Sequence, residues 1–396
     1  MKYLSGYITA AIFGALSWVL MQFGQRFSVV VDMVYPYVVR TSQGMLADWT
    51  ATVDFCLWQL LAAALLVIFL TSVVLMIIRK WNVIQWFGWV LAGLSVIFLL
   101  NTGIYGLNYY AGDLSDDLRM DVSRYTMDEL TEATVYYRDK ANELSDKVAR
   151  DGQGDPEFAS FEELAVQASQ GFSTLTYDRL YPIFAGSKVP VKKLGNADLY
   201  TSMGVDGITV GLTGEAAVNP QIPDVVLPVA MCKEMARRMC IATEKDAIFA
   251  SFLAASSNES DEFRYSAYLT AYRYCYNALS SLGSEAAVTA ADTIRQGVSE
   301  NLSRDLQSLD LFYSSHRNGF YAGIASSVRR TFLKISGDPA GISPENDVCN
   351  LLVNWHIQQV VLPSVAVTEK HFDPYDETQV DLNGIVNAAA TWESEE

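Results

Sequence analysis

Three charged side chains within residues 227–253 have the spacing of a catalytic motif. Lys233, Glu234 and Arg237 stand in the order K-E-x-x-R on a stretch that predicts a helix. With histidine at both outer positions this would be H-E-x-x-H, in which two histidines on one helix face bind zinc and the glutamate activates the metal-bound water. Here the glutamate is present, and both zinc ligands are replaced by cations.

A metal-free arrangement follows from the chemistry of these replacements. A protonated lysine and an arginine have no lone pair to give to zinc, and both repel a dication. The two cations lie one helical turn apart, so pairing with nearby carboxylates would conserve the positive charge of a metal site. The candidate carboxylates are Glu215, Glu234, Glu244 and Asp246. The alternative is that Lys233 and Arg237 are solvated on an open helix face.

Several blocks of the sequence on both sides of this motif also resemble those of a known family. They are residues 105–110, 207–219, 227–228, 243–249, 263–269, and 332–334 with Gly337. In this order they resemble an uncharacterised bacterial family of membrane proteins that is related to the gluzincin-type zinc metallopeptidases. Members of that family have membrane helices at the N-terminus, followed by a zincin-like domain with an H-E-x-A-H motif.

The resemblance implies a zincin-like site that has lost its metal. Lys233 and Arg237 occupy the two histidine positions, and Glu234 keeps the position of the general base. The third ligand of such a site is an acidic residue on the following helix, which corresponds here to Glu244 or Asp246. The resemblance therefore implies a zinc cofactor for the family, no zinc in this chain, and a vestigial catalytic glutamate.

A segment bounded by glycines ahead of the motif predicts a strand. Residues 207–214 alternate in polarity, as a half-buried strand does. An extended peptide could pair with such a strand by edge addition. The candidate peptide-binding residues are Gly207, Ile208, Thr209, Val210, Gly211, Glu215 and Asn219.

Three apolar runs near the N-terminus predict transmembrane helices. They cover about residues 4–23, 55–78 and 83–105, and none of them carries a charge. Each has about 20 residues, enough to cross a hydrocarbon core of roughly 30 Å as a helix. Lys2, Arg79 and Lys80 flank these runs on one side, which the positive-inside rule assigns to the cytoplasm. A 24–54 loop and the large C-terminal domain are then expected on the extracytoplasmic side of a bacterial cell membrane.

The pattern beyond the membrane runs predicts a fold of the α+β class that is predominantly α-helical. Residues 1–112 form the membrane anchor, 113–365 a zincin-like soluble domain, and 366–396 an acidic flexible tail. Predicted helices of the domain cover residues 127–150, 161–170, 228–240, 243–256, 262–282, 285–311, 319–335 and 344–361.

Composition narrows the classes of partner. The chain has 396 residues and a formal net charge of −17, and the acidic excess lies after residue 112. Such a surface repels phosphate backbones, so no nucleic acid is expected. The expected partners are the lipid bilayer and a peptide or envelope protein. Cys56, Cys232, Cys240, Cys275 and Cys349 form no C-x-x-C pair. Buried free thiols are favoured, and disulfides are the alternative outside the cytoplasm.

The sequence leaves three functions open. It favours a membrane-anchored protein like a zinc metallopeptidase that is catalytically inactive, a pseudopeptidase acting in binding or regulation at the cell envelope. The first alternative is an active membrane-bound hydrolase that uses Glu234 with an unconventional metal site. The second alternative is a purely structural membrane subunit.

Overall fold

The computed structural model describes residues 4–177, 182–316, 319–336 and 345–361. Within these ranges the chain forms fifteen α-helices and one three-stranded sheet. The predicted predominance of helix is therefore confirmed. The predicted tail at 366–396 and Gly337 lie outside the described residues.

Four long helices form the N-terminal part. They are α1 (Ser5–Arg26), α2 (Ser28–Thr50), α3 (Leu57–Ile78) and α4 (Val83–Ile104). Helices α1, α3 and α4 are long and apolar enough to cross a membrane, and they coincide with the three predicted runs to within a few residues. The predicted 24–54 loop is wrong, because α2 fills most of it. The apolar pattern of α2 is interrupted by four residues, Asp32, Pro36, Arg40 and Asp48. The sequence of this amphipathic helix therefore does not predict a transmembrane segment.

Helix α1 packs closely along α4. A side chain on Gly6 would come within 2.4 Å of the backbone of Gly88, so only glycine permits this approach. The Tyr7 hydroxyl donates a hydrogen bond to the carbonyl oxygen of Ile84 at 3.0 Å. The start of α1 and the start of α4 therefore lie at one end of the bundle. At the other end, the Tyr105 hydroxyl after α4 donates to the carbonyl oxygen of Arg237 at 2.7 Å.

Eleven further helices follow among the described residues. They are α5 (Leu114–Asp117), α6 (Met127–Ser145), α7 (Phe161–Tyr177), α8 (Ala197–Met203), α9 (Leu227–Arg238), α10 (Glu244–Ser256), α11 (Asp261–Ser281), α12 (Glu285–Gln296), α13 (Glu300–His316), α14 (Gly319–Ser336) and α15 (Glu345–His356). A continuous apolar core joins α6, α7, α9, α10 and α11. The single helix predicted over 285–311 is two helices. Gly297 ends the first, and the Ser299 hydroxyl accepts the Leu302 N–H at the start of the second.

The sheet has the strand order β1-β3-β2, with β1 at Lys192–Lys193, β2 at Gly207–Val210 and β3 at Glu215–Val218. Strand β3 pairs parallel with β1 and antiparallel with β2, so β2 is an edge strand. The strand predicted over 207–214 is confirmed for Gly207–Val210 and is wrong for the residues after it. The chain turns back at Gly214, whose φ of 66° suits glycine. Glu215 therefore begins the central strand instead of extending the edge.

Candidate functional site

Helix α9 carries the K-E-x-x-R motif on its last turns. Pro228 stands in its first turn, where a missing N–H group is tolerated. After α9 the backbone of Cys240 is left-handed, with a φ of 73°, which turns the chain back. The Thr243 hydroxyl then accepts the Asp246 N–H and caps α10. This hairpin brings the end of α9 beside the first turn of α10.

Lys233, Arg237 and Glu244 converge between α9 and α10. The Lys233 Nζ lies 3.8 Å from one Glu244 carboxylate oxygen, and the Arg237 guanidinium donates to the other. Both cations also lie 3.8 Å from Oε1 of Glu234. The side chains of Lys233 and Arg237 are only 18% and 21% exposed. They are therefore paired with carboxylates and are not solvated on an open face. We call Lys233, Glu234, Arg237 and Glu244 the ion-pair cluster.

Glu234 is fully buried and is held against β2. Its Oε2 accepts a hydrogen bond from the Thr209 hydroxyl at 2.8 Å. A side chain on Gly207 would come within 2.6 Å of Cγ of Glu234, so glycine lets the strand lie directly on this residue. Oε1 of Glu234 has no hydrogen-bond partner in the described part of the chain. That oxygen faces the two cations of the cluster.

Arg329 of α14 is a further member of the site that the sequence did not predict. Its Nη2 lies 3.0 Å from Oε1 of Glu244, and 57% of its side chain is exposed. Helix α14 therefore places a cation on the outer side of the ion-pair cluster. No local pattern connects Arg329 with a motif so far upstream, because only tertiary packing brings α14 to α10.

The ion-pair cluster is electrically balanced without a metal. The two positive charges of Lys233 and Arg237 balance the two carboxylates. One zinc dication would supply the same positive charge. Burial lowers the pKa of Lys233, and the Glu234 carboxylate opposes that shift. Such buried pairs contribute little net stability, but removing one partner leaves a costly unpaired charge.

Zinc, which the resemblance implies for the family, does not fit these residues. An ammonium group and a guanidinium group donate hydrogen bonds and offer no lone pair. Within the four described ranges, no group of three or more His, Cys, Asp or Glu residues is arranged to hold a metal. His356 packs against the rings of Tyr136 and Tyr137, with its ring centroid 4.8 Å from that of Tyr136.

Asp246 lies outside the ion-pair cluster. Its carboxylate accepts a hydrogen bond from the Thr243 hydroxyl at 2.6 Å, and it lines a small pocket with Asp32 and Asp117 near the end of α4. Of the two acidic residues offered for the third ligand position, Glu244 is therefore the one that meets Lys233 and Arg237.

The buried Asp246 carboxyl predicts a pH-dependent stability. Burial raises its pKa to about 6, and the Thr243 hydroxyl and Lys245 oppose that shift. In an unfolded chain an aspartate titrates near about 3.9. Between these values the folded protein binds more protons, so the contribution of Asp246 to stability increases as the pH falls. We expect Asp246→Asn to be more stable than the wild type near pH 7 and to lose about 2–3 kcal/mol of that advantage by about pH 4.

Thermal unfolding of the full chain in detergent micelles, at a series of pH values, measures this difference. Asparagine keeps an oxygen that accepts the Thr243 hydroxyl, so the comparison isolates the charge. Stability curves that run parallel for the two proteins would contradict a raised pKa of Asp246.

Glu215 joins the sheet to α3, one of the three helices that are apolar enough to cross a membrane. Its carboxylate lies 2.8 Å from Nζ of Lys192 and accepts the N–H groups of Leu57 and Trp58, each at 2.8 Å. These are the first two N–H groups of α3, whose N-cap residue Cys56 makes no capping hydrogen bond with its side chain. Glu215 therefore caps α3 from the sheet and does not pair with the motif.

Two other predicted peptide-binding residues are also engaged elsewhere. Asn219 is fully buried and hydrogen-bonded within the domain. Gly211 lies in the turn after β2, where its carbonyl oxygen accepts from Gln43 at 2.7 Å and its Cα faces Tyr105. Of the seven candidates, only the four residues of β2 lie on the edge of the sheet.

Strand β2 has an outer backbone edge beside the ion-pair cluster. The register pairs Gly207 with Val218, and the N–H of Asn219 donates to the carbonyl oxygen of Asp206 at 2.8 Å. Because hydrogen-bonded pairs alternate along an antiparallel ladder, the N–H and C=O groups of Gly207 and Thr209 point away from β3. Across the described residues no further strand pairs with this edge.

Comparison with known proteins gives a family and no function. No curated protein and no solved structure matches this sequence. The family described as "Protein of unknown function (DUF3810)" matches residues 31–353, which is most of the chain. An uncharacterised family was expected from the resemblance, but this description contains no reference to a peptidase, so the relationship to gluzincins stays a hypothesis. The match runs from α2 through the ion-pair cluster to α15, and the chain therefore belongs to the DUF3810 family.

Proposed function

We propose that this chain is a membrane-anchored pseudopeptidase, a binding protein in which the ion-pair cluster takes the place of a catalytic zinc. The observation that supports the proposal most directly is the convergence of Lys233, Arg237 and Glu244 on one another. Lys233 and Arg237 stand at the two histidine positions that the resemblance implies, and Glu244 is one of the two residues that it offers for the third ligand. The formal charges of Lys233, Arg237, Glu234 and Glu244 sum to zero, and so do those of one zinc dication with two carboxylates.

The edge of β2 is the proposed binding surface. An extended polypeptide added to this edge would exchange backbone hydrogen bonds with Gly207 and Thr209. Because Glu234 lies against Gly207, the added strand would run beside the ion-pair cluster. The exposed Arg329 adds a positive charge at the same place, which favours a ligand with an acidic side chain or a free carboxylate.

Burial of Glu234 argues against the active hydrolase. A general base must reach a water molecule or the proton that it removes. The Glu234 carboxylate is fully buried, with Oε2 bound to Thr209 and Oε1 facing Lys233 and Arg237. A hydrolase would therefore need the cluster to open first.

The proposed location is the outer face of a bacterial cell membrane. The start of α3 is bound to the sheet through Glu215, so the α3–α4 turn lies at the far end of the spans. Arg79 and Lys80 stand in that turn, and basic residues favour the cytoplasmic side. The domain would then be extracytoplasmic.

Metal content of the purified full chain tests the pseudopeptidase. We expect no retained zinc in the wild type after dialysis, and one zinc per chain in Lys233→His/Arg237→His, measured by mass spectrometry. Glu244 would supply the third ligand of the variant, as in a three-ligand zinc site. The matched control is Asp139→His/Glu143→His, which builds the same i, i+4 histidine pair on an exposed face of α6 and should lose its zinc.

Stoichiometric zinc in the wild type would overturn the proposal and favour the hydrolase. Absence of zinc from a correctly folded Lys233→His/Arg237→His variant would show that the zincin layout is missing. The structural-subunit alternative would then be favoured. Circular dichroism of each variant establishes that it has folded.

A further inference from the structure

Helix α2 has two chemically different faces. Its inner face is buried against the soluble domain, where Arg40 donates to the carbonyl oxygen of Met239 at 3.1 Å and Gln43 donates to that of Gly211 at 2.7 Å. Its outer face carries large apolar side chains that are at least half exposed. They are Val30, Met33, Val34, Tyr37, Val38, Met45 and Trp49. Thr41 and Asp48 are also exposed on this outer face, which otherwise resembles the apolar side of a surface-bound helix.

Both ends of α2 are joined to helices that can cross a membrane. Phe27 alone separates α1 from α2, and residues 51–56 connect α2 to α3. With 23 residues α2 is about 34 Å long, whereas the connection can reach at most about 25 Å when fully extended. An upright α2 would lift the start of α3 out of the bilayer. The start of α3 and the end of α4 both contact the domain, so an α2 that lies along the surface lets α1 and α3 cross the same membrane.

We propose that α2 is an interfacial helix whose outer face is buried in the headgroup region and upper acyl chains of the bilayer. One residue separates α2 from α1, on which Ile12, Leu16 and Val19 are also exposed. The acidic excess of the chain lies after residue 112, so charge repulsion from lipid acts on the domain and not on this face.

The position of α2 sets the height of the ion-pair cluster above the lipid. Gly211 follows β2 and Met239 follows α9, and both contact the inner face of α2. The edge of β2 and the end of α9 therefore lie about one helix diameter, roughly 10 Å, from the bilayer. If the proposed function holds, the bound polypeptide is one that is attached to the membrane close to its binding segment.

Fluorescent labels on α2 test its position in the full chain, reconstituted in phosphatidylcholine vesicles. Single variants Met33→Cys and Met45→Cys are labelled with an environment-sensitive fluorophore, and the five native cysteines are buried, so labelling is selective. Ile68→Cys in the middle of α3 and Val288→Cys on α12 are the matched controls for the bilayer centre and for water. Val38→Cys reports on the same face if either α2 variant fails to fold.

We expect both α2 labels to be quenched at least twofold more than the Val288 label by a lipid with a nitroxide at its headgroup. Iodide in the water should quench them less than it quenches the Val288 label. Quenching by iodide to the same extent as at Val288 overturns the proposal, because the face is then in water. Quenching by a deep acyl-chain nitroxide to the same extent as at Ile68 also overturns it, because α2 then spans the bilayer.

Shielding from both iodide and lipid quenchers would mean that protein covers the face, for example a second copy of the chain, and it overturns the proposal too. None of these outcomes affects zinc retention by Lys233→His/Arg237→His. The two proposals can therefore fail separately.

Discussion

Replacing Glu215 by alanine is expected to lower the free energy of unfolding by about 3–5 kcal/mol, the usual cost of removing one partner from a buried ion pair. Lys192 would keep its position, with 10% of its side chain exposed, and lose its carboxylate. The N–H groups of Leu57 and Trp58 would lose their acceptor at the start of α3. Denaturant titration of the full chain in detergent micelles, followed by circular dichroism, measures the loss.

The neighbouring lysine provides the control for Glu215. Lys193 lies 2.6 Å from Glu162, but 47% and 70% of these side chains are exposed. Because exposed ion pairs contribute little, Glu162→Ala should cause no measurable loss of stability. Similar losses for the two alanine variants would contradict the role of Glu215 as the link between the sheet and α3. Glu215→Gln keeps an oxygen acceptor without the charge and should lie between the wild type and Glu215→Ala.

Glu244→Ala is expected to destabilise the protein by about 3 kcal/mol, because it leaves the cations of the ion-pair cluster facing Glu234 alone. The Glu244 side chain is 9% exposed and contacts Lys233, Arg237 and Arg329. Arg329 is exposed enough to turn toward water, so Lys233 and Arg237 bear most of the cost. The same denaturant titration in micelles measures the effect.

A second substitution separates charge from packing at this site. Adding Lys233→Met to Glu244→Ala removes one unbalanced cation and should recover part of the lost stability, so the two changes should not be additive. The surface control is Glu143→Ala, since Glu143 also contacts two lysines but is 51% exposed. It should leave the stability unchanged. Additive losses at Lys233 and Glu244 would contradict their pairing.

Glu215→Ala and Glu244→Ala act at two separate junctions of the fold. Glu215 connects the sheet to the start of α3, and Glu244 connects α10 to the end of α9. Both carboxylates were candidates for pairing with the motif, and the sequence could not separate them. Which cation each one meets depends on how the sheet and the two helices pack.

The position of Glu244 shows how close such alternatives can be. Glu244 and Asp246 both stand in the first turn of α10, two residues apart. At 100° per residue their side chains point about 200° apart, so only one of them can face α9. The left-handed turn at Cys240 and the cap at Thr243 set the rotation of α10, and they direct Glu244 to the cluster.

Local patterns alone determine the three apolar helices, the predominance of helix, and the placement of Lys233, Glu234 and Arg237 on one helix. Those features depend on neighbouring residues at short, regular spacings. The sequence patterns did not predict α2, because its apolar residues lie on two faces, one packed against the domain and one exposed. Four other residues also interrupt its apolar periodicity. The choice of Glu244, the contact of Arg329, the hairpin at Gly214 and the capping of α3 by Glu215 were decided by tertiary packing. Each of them joins residues that are distant in sequence, and no local spacing records which distant side chains will meet.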